Sequence, residues 1–190
     1  MLIKSFKHKT DKTRLLEIHT DENPQNPRKD GFDNLGIMVC VTDNLAELGD
    51  VQVSQDELEE HVKNAVVKLP LYLLDHSGVK MQTTDFGDKW DSSQVGYIYV
   101  TQKELDKECK NSEMYSVETI TKILVSEVAI YSDYLEGNVH GIIEYKIDTC
   151  NLGEEHKKQV DSCWGFYGDP DADSGIFDGY NMDEWEEIKN

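Results

Sequence analysis

The chain has 190 residues, of which 38 % are hydrophobic and 30 % are charged, so it is long enough for a well-formed core and lacks the composition of a disordered chain. Its 38 acidic residues outnumber the 19 basic ones and give a formal net charge of -19, which repels phosphate backbones and anionic lipids. We therefore expect a protein partner with a basic surface, and no direct binding to nucleic acid or membrane.

Neither a membrane segment nor an export signal is recognisable in the sequence. No apolar run approaches the roughly 20 residues of a membrane-spanning helix, and no apolar region follows the basic residues 1–9. The four cysteines, at positions 40, 109, 150 and 163, are scattered without a C-x-x-C pair, which favours free thiols in a reducing compartment. We therefore expect a cytoplasmic protein.

Two strands and one helix are predicted in the first part of the chain. Residues 14–19 and 35–41 are short runs rich in Leu, Ile and Val, which favours strands. Ser54 and Glu57 form a capping box and Pro70 ends the helical spacing that follows, so a helix is predicted over residues 54–69. The apolar stripe of this helix consists of Leu58, Val62, Ala65, Val66 and Leu69.

The middle of the chain is predicted to form a hairpin and a further strand. Residues 71–74 and 79–84 flank a turn at 75–78 that contains Asp, Ser and Gly, a composition typical of β-hairpins. Residues 96–100 are a third short apolar run and are predicted to be a strand.

Two helices are predicted to follow this strand. Thr101 and Glu104 form a capping box that begins a short helix reaching about residue 109. Ser116 caps a longer helix, and Gly137 ends it. The apolar residues of the longer helix recur at helical spacing: Val117, Ile120, Leu124, Val128, Tyr131 and Leu135.

The last elements complete the predicted fold class. Residues 139–147 are predicted to be a strand that pairs with 163–168, and a short helix is predicted at 184–188. Because strands and helices do not alternate regularly, we predict an α+β fold with a mainly antiparallel sheet and two or three packed helices. We expect a single domain over residues 1–168 and an acidic C-terminal extension over 169–190.

One loop concentrates residues capable of acid–base or metal chemistry, namely Asp75, His76, Asp85, Asp88 and Asp91. Carboxylates with a histidine can bind a hard divalent metal and activate water, which leaves open a metal-dependent hydrolase or nucleotide-processing enzyme. Their spacing matches no ligand motif, however, and Asp among Gly and Ser is typical of turns because its carboxylate bonds nearby backbone. We therefore favour structural turns, with Trp90 either buried or available as a partner anchor.

The C-terminal stretch is acidic and aromatic. Residues 161–190 contain nine acidic residues and one lysine, with Tyr and Trp interleaved. A solvated tail is one interpretation, and an anionic surface with aromatic anchors for a basic groove is the other. The candidate partner-binding residues are Asp85, Asp88, Trp90, Asp91, Asp171, Asp173, Asp178, Tyr180, Asp183, Glu184 and Trp185.

No motif for a cofactor or a catalytic centre is present. The chain has no P-loop, no dinucleotide-binding glycine pattern and no nucleophile elbow. The acidic run from Asp169 resembles a calcium loop, but its sixth residue is Ser174 and its twelfth is Tyr180, where such a loop needs Gly and Glu. We predict no metal, no cofactor and no catalytic residue.

Several segments together resemble a family of uncharacterised proteins encoded by bacteriophages, plasmids and integrated elements. The resemblance is carried by NPR at 26–28, DNLGIMVC at 33–40, LYLLDHSG at 71–78, KWDSSQVGYIYV at 89–100, YSDYLEG at 131–137 and SCWGFYG at 162–168. It implies a mobile element inside a bacterial cell, and it assigns no activity and no catalytic residue.

Charge and setting together lead to a functional expectation. By analogy with small acidic proteins of mobile elements, we expect a protein that binds and inhibits a host nucleic-acid-binding or defence factor, such as a nuclease, by mimicking nucleic-acid charge. The metal-dependent enzyme described above is one alternative. A small structural or regulatory phage protein, whose charge serves solubility, is another.

Overall fold

The computed structural model of the chain describes residues 1–29, 31–41, 47–76, 78–108, 115–172 and 174–188. The fold is α+β with two mainly antiparallel five-stranded sheets, which confirms the predicted class. The described strands are β1 (Leu2–His8), β2 (Arg14–Thr20), β3 (Ile37–Val41), β4 (Val51–Val53), β5 (Ala65–Asp75), β6 (Val79–Gln82), β7 (Ser92–Thr101), β8 (Val139–Thr149), β9 (Glu155–Tyr167) and β10 (Trp185–Glu187). The α-helices are α1 (Leu58–Val62), α2 (Gln102–Glu108) and α3 (Val117–Glu136), and a 3-10 turn covers Met182–Glu184.

The chain divides into two compact units. The first consists of residues 1–25 together with 137–190, and the second of residues 26–136. Compactness does not test whether a segment folds independently, so the single domain over 1–168 stays a prediction. Within the described residues, no helix is both long enough and apolar enough to cross a membrane.

The first unit is built on an antiparallel sheet with the strand order β10-β1-β2-β8-β9. One face carries an apolar cluster, and the segment between β9 and β10 supplies part of it. The buried members are Phe6, Leu16, Ile18, Ile142, Ile176 and Trp185, with Phe166, Phe177, Tyr180 and Met182 packed against them. The residues of the predicted acidic extension thus contribute to a core and cover one face of this sheet.

The second unit is built on a sheet with the order β4-β3-β7-β5-β6, in which only the β3–β4 pair is parallel. Alternation along β3 sends Met38 and Cys40 to one face and Val39 to the other. Helix α3 packs on the first of these faces through Ile120, Leu124, Val128 and Tyr131, and α1 packs on the second through Leu58 and Val62. Both faces of the sheet are therefore covered, which fits the apolar runs in β3 and β7.

The helix predicted over residues 54–69 is wrong beyond its first turns. The capping-box contacts do form, since the Ser54 N–H donates to Glu57 Oε2 at 3.1 Å, but α1 ends at Val62. From Ala65 onward the chain is strand β5, which pairs with both β6 and β7. Residues 65–69 pair with β7, and the pairing with β6 begins only at Tyr72. The period-2 burial of Val67, Leu71 and Leu73 replaces the helical period because the ladder with β7 and the packing of this face outweigh helix propensity.

The other predicted elements agree with the structure, apart from the last helix. Strands β2, β3, β7 and β8, the β5–β6 hairpin and helices α2 and α3 lie where they were predicted, and β9 pairs with β8. The helix predicted at 184–188 is wrong, because Trp185–Glu187 is strand β10 and pairs with β1. Strands β1, β4 and the first half of β9 were not predicted, because β4 has only three residues and the polar and charged residues of β1 and β9 leave little apolar periodicity.

Candidate functional site

The first unit contains an acidic cleft between its sheet and the segment that follows β9. The cleft has a volume of about 520 Å³. Its lining combines charged, aromatic and aliphatic side chains with a thiol: Arg14, Ile142, Glu144, Asp161, Cys163, Phe166, Ile176, Asp178 and Tyr180, with Gly175 and Gly179 completing it. Three carboxylates against one guanidinium leave a formal charge of -2 in the cleft.

Strand register brings the charged residues of the sheet to one face. Glu144 of β8 lies opposite Leu16 of β2 on one side and opposite Asp161 of β9 on the other. Two residues along, Ile142 lies opposite Cys163. Because side chains alternate along strands, these residues share the face that carries the apolar cluster, and the cleft has an apolar floor beside its charges.

A turn in the segment after β9 supplies the opposite wall of the cleft. Gly175 has a φ of +74°, and the Asp178 N–H donates to its carbonyl at 3.1 Å. The Tyr180 N–H then donates to the carbonyl of Phe177 at 2.8 Å. The Tyr180 ring meets Trp185 edge to face with centroids 6.2 Å apart, so the wall is anchored in the core.

The one cation of the cleft is already paired. Arg14 Nε donates to Glu144 Oε1 at 2.6 Å, and its guanidinium lies 5.1 Å from the centre of the Trp185 ring. The bond to Glu144 raises the pKa of Arg14 above its usual value. In the described part of the chain, no ion pair reaches Asp161 or Asp178, and these two carboxylates are the unneutralised charge of the cleft.

The raised pKa of Tyr180 reflects its burial and the negative charge of the cleft. Burial raises the pKa of Tyr180, and the nearby carboxylates of Glu144 and Asp161 raise it further because they disfavour a second negative charge. Arg14 acts in the opposite direction without reversing the shift. The cleft therefore disfavours anions and favours cations.

The cleft matches the side chain of a lysine or an arginine. The stem of such a residue would contact Phe166 and Tyr180, which are partly exposed, and its charged head would reach Asp161 or Asp178. A charge-assisted hydrogen bond to a carboxylate is stronger than one between neutral groups. The arrangement is suited to binding a basic group.

The structure places the other predicted C-terminal residues in different surroundings. Asp171 pairs with Lys4, and Glu184 Oε2 lies 3.4 Å from His8 Nε2. Asp183 is exposed, and its carbonyl accepts a bond from Lys9 Nζ at 2.7 Å. Lys4 of β1 thus neutralises one carboxylate of the acidic segment.

One further member of the predicted set is buried, and another lies outside the described residues. Trp185 is 5 % exposed and belongs to the core, where it packs against His8 with ring centroids 5.0 Å apart. Asp173 lies outside the described residues, and so does Cys109. Among the predicted C-terminal residues that the structure describes, Asp178 and Tyr180 are the two that line the cleft.

In the second unit, the predicted loop presents an exposed tryptophan. Asp85 Oδ1 accepts the Gly87 N–H at 2.8 Å, and Asp88 Oδ1 accepts the N–H groups of Trp90 and Asp91 at 2.8 and 3.1 Å. These bonds lower the pKa of Asp88 and hold the turn. The Trp90 side chain is left 94 % exposed, which is unusual for so large an apolar group.

The five residues of the alternative enzyme hypothesis are not gathered into a metal-sized group. His76 Nδ1 lies 2.8 Å from Asp91 Oδ2, and the Asp75 N–H donates to the Asp91 carbonyl. Within the described stretches, the group of side chains spaced closely enough to bind a metal ion includes none of these five residues. The carboxylates of Asp85 and Asp88 instead bond backbone in their own turns.

Arg14, Glu144 and Cys163 were not predicted as site residues, and Asp161 was counted only within the acidic tract. The sequence contains one relevant pattern. Ile142 and Glu144 lie two residues apart in one strand, as do Asp161 and Cys163 in the next, so each pair shares a face of its strand. That signal becomes informative only when the register of β8 and β9 is known.

Comparisons of the chain with protein-family models, with curated proteins and with solved structures find no match. The resemblance to proteins of mobile elements therefore stays a prediction. The proposed function therefore rests on the geometry of the cleft and on the net charge of the chain.

Proposed function

We propose that this chain is a partner-binding protein that inhibits a host nucleic-acid-binding or defence factor, such as a nuclease, in the cytoplasm of a bacterial cell. The observation that carries the proposal is the acidic cleft of the first unit, in which Asp161 and Asp178 stand beside an apolar floor. The net charge of -19 supports it, because a strongly acidic chain is attracted to basic surfaces over a distance.

The proposed mechanism is competition with nucleic acid. A lysine or arginine that the partner uses to contact phosphate inserts into the cleft and pairs with Asp161 or Asp178. While it is bound there, the same side chain is unable to contact a phosphate group. The exposed ring of Trp90 is a second anchor, since tryptophan is enriched among the residues that dominate binding energy.

A capture experiment with matched variants tests the proposal. The tagged full chain is incubated with bacterial lysate at about 50 mM and about 500 mM NaCl, because screening at high salt weakens charge pairing. The test bait carries Asp161→Asn and Asp178→Asn. The control bait carries Asp56→Asn and Glu118→Gln, which remove the same charge from exposed positions. We expect a basic partner that the wild type and the control capture at low salt, and that the cleft variant binds at least tenfold more weakly.

The captured factor is then assayed for inhibition. Addition of the wild-type chain is expected to reduce nucleic-acid binding or cleavage by that factor, and the cleft variant is expected to have little effect. Equal loss of capture by the two double variants would assign binding to net charge and remove the role of the cleft. A captured factor that keeps full activity would overturn inhibition, and the lack of any salt-sensitive partner would favour the structural or regulatory phage protein.

A further inference from the structure

We propose that the tip of the β8–β9 hairpin binds a divalent transition metal, best Zn²⁺, through Cys150, Glu154 and His156. The Cys150 Sγ, a carboxylate oxygen of Glu154 and a ring nitrogen of His156 all lie within 4.8 Å of one another. None of the three lines the acidic cleft, so this site is separate from the one above.

The hairpin itself makes the three donors converge. The Cys150 N–H donates to the Glu154 carbonyl at 2.9 Å, and His156 lies opposite Asp148 in the ladder. Because side chains two apart share a face and opposite residues are about 4.5–5.5 Å apart at Cβ, these positions point to the same side of the ribbon. A turn closes the tip, where Gly153 has a φ of +81° and its N–H donates to the Cys150 carbonyl at 2.9 Å.

The donor set selects the class of metal. Thiolate, imidazole and carboxylate are the ligands that Zn²⁺ takes in proteins, whereas Ca²⁺ and Mg²⁺ prefer oxygen alone. With metal–ligand bonds of about 2.0–2.3 Å, tetrahedral donors stand about 3.3–3.8 Å apart, so the observed group needs only a small closure. Glu154 and His156 are exposed and Cys150 is half-buried, which leaves their rotamers free to make that adjustment.

Binding has a defined proton balance and coordination number. The Cys150 thiol releases its proton to solvent when its sulfur bonds the metal, and His156 binds as neutral imidazole. Three protein ligands leave a fourth tetrahedral position for water or for a side chain of a partner. Metal affinity is therefore expected to fall as the pH is lowered, since protons compete for both the thiolate and the imidazole.

Cobalt spectroscopy on the full chain tests the site. Co²⁺ added to metal-free, reduced wild-type protein is expected to produce a sulfur-to-cobalt charge-transfer band near the ultraviolet edge, together with visible bands of a tetrahedral ion, and Zn²⁺ is expected to displace it. Cys150→Ser should abolish the charge-transfer band, and His156→Ala should weaken binding at least tenfold. Cys163→Ser, which removes an exposed thiol elsewhere in β9, is the matched control and should leave the spectrum unchanged.

Alkylation provides a second readout that does not depend on spectra. Zn²⁺ should slow the reaction of Cys150 with iodoacetamide at least tenfold, and the Cys163 peptide of the same sample serves as the internal reference. A wild type without the charge-transfer band, a band that survives Cys150→Ser, or equal alkylation of Cys150 with and without Zn²⁺ would each overturn the proposal. Circular dichroism of every variant checks that the fold is retained.

Discussion

The buried guanidinium of Arg28 connects several segments of the second unit. Its side chain is 1 % exposed, and it donates to Glu127 Oε2 at 2.9 Å, to both Asp50 oxygens and to the Gly36 carbonyl at 2.6 Å. Burial alone would lower the pKa of Arg28, but the bonds to Asp50 and Glu127 prevail and raise it above its usual value. Arg28 therefore keeps its charge in the interior.

The carboxylates of Glu127 and Asp50 also accept hydrogen bonds from backbone N–H groups. Glu127 Oε1 accepts the Leu35 N–H at 2.7 Å, and Asp50 Oδ2 accepts the Met38 N–H at 2.7 Å. The network thus joins helix α3 to the start of β3. It also gives a structural role to two of the segments that carry the family resemblance, 26–28 and 33–40.

Loss of Arg28 should be strongly destabilising. Arg28→Ala leaves two carboxylates partly buried without their cation, so we expect the free energy of unfolding to fall by about 3–5 kcal/mol. Lys63→Ala, which breaks an exposed pair with Glu60, should change it by less than about 1 kcal/mol. Urea denaturation followed by circular dichroism measures both. A small effect of Arg28→Ala would mean that water solvates Asp50 and Glu127 in the native state.

The cysteines are expected to differ sharply in reactivity. Burial raises the pKa of the Cys40 thiol to about 12, so the reactive thiolate is scarce at neutral pH and reagents have no access to it. Cys163 is exposed. In the native protein, iodoacetamide should modify Cys163 within minutes while Cys40 stays unmodified until denaturant is added, as peptide mass spectrometry would show. Comparable native labelling of the two thiols would contradict the buried environment of Cys40.

At the scale of elements, the β8–β9 pair supports both the acidic cleft and the hairpin tip, and its packing depends on one glycine. A Cβ on Gly141 would overlap the ring of Trp164, the residue opposite it in the ladder. Trp164 is 46 % exposed, and its ring lies over the backbone at this point. The close approach requires glycine because any side chain would displace the ring.

Gly141→Ala is expected to lower the free energy of unfolding by about 1–3 kcal/mol, the usual cost of overpacking, and to shift the tryptophan fluorescence. Gly179→Ala is the control, because a Cβ there meets no atom within 4 Å. Urea titrations monitored by fluorescence measure the change in both variants. If the two substitutions cost the same, the contact between Gly141 and Trp164 does not constrain the strand pair.

The predicted helix over 54–69 shows why local patterns are insufficient for some elements. Leu58 and Val62 fit a helix and are helical, whereas Ala65, Val66 and Leu69 continue the same helical spacing and yet lie in strand β5. The choice between helix and strand for these residues depends on β7, which lies later in the chain. By contrast, α3 has its cap, its stripe and its stop within one segment, since Ser116 Oγ accepts the Thr119 N–H at 3.1 Å and Gly137 has a φ of +71°.

At the scale of the whole molecule, the net charge of -19 acts against the folded state. Folding concentrates like charges, and the ion pairs of the surface offset only part of their repulsion. Salt screens such interactions over a Debye length of about 10 Å at 0.1 M. The charge that attracts a basic partner is therefore also a cost to stability.

Added salt should stabilise the chain. We expect the midpoint of thermal unfolding to rise by about a few degrees between roughly 10 mM and 200 mM NaCl, because screening relieves repulsion more than it weakens exposed ion pairs. Calorimetric scans measure the midpoint at each salt concentration. The same scans in sucrose solutions of equal osmolality measure how much of the rise comes from exclusion of the solute from the protein surface rather than from screening. A midpoint that falls with salt would show that the ion pairs outweigh the repulsion.

The sequence by itself determined the α+β class, the acidic charge and the elements whose signals are local, such as β2, β3, β7, β8 and α3. Only the tertiary structure decided that β5 is a strand, that the segment after β9 covers a sheet and that the cleft forms. Arg14 and Glu144 are 130 residues apart in the chain, and Asp178 reaches them through a turn packed on the core. Periodicity reports on neighbours within one element, whereas strand register and packing arise from contacts between distant segments, so they determine which charges meet.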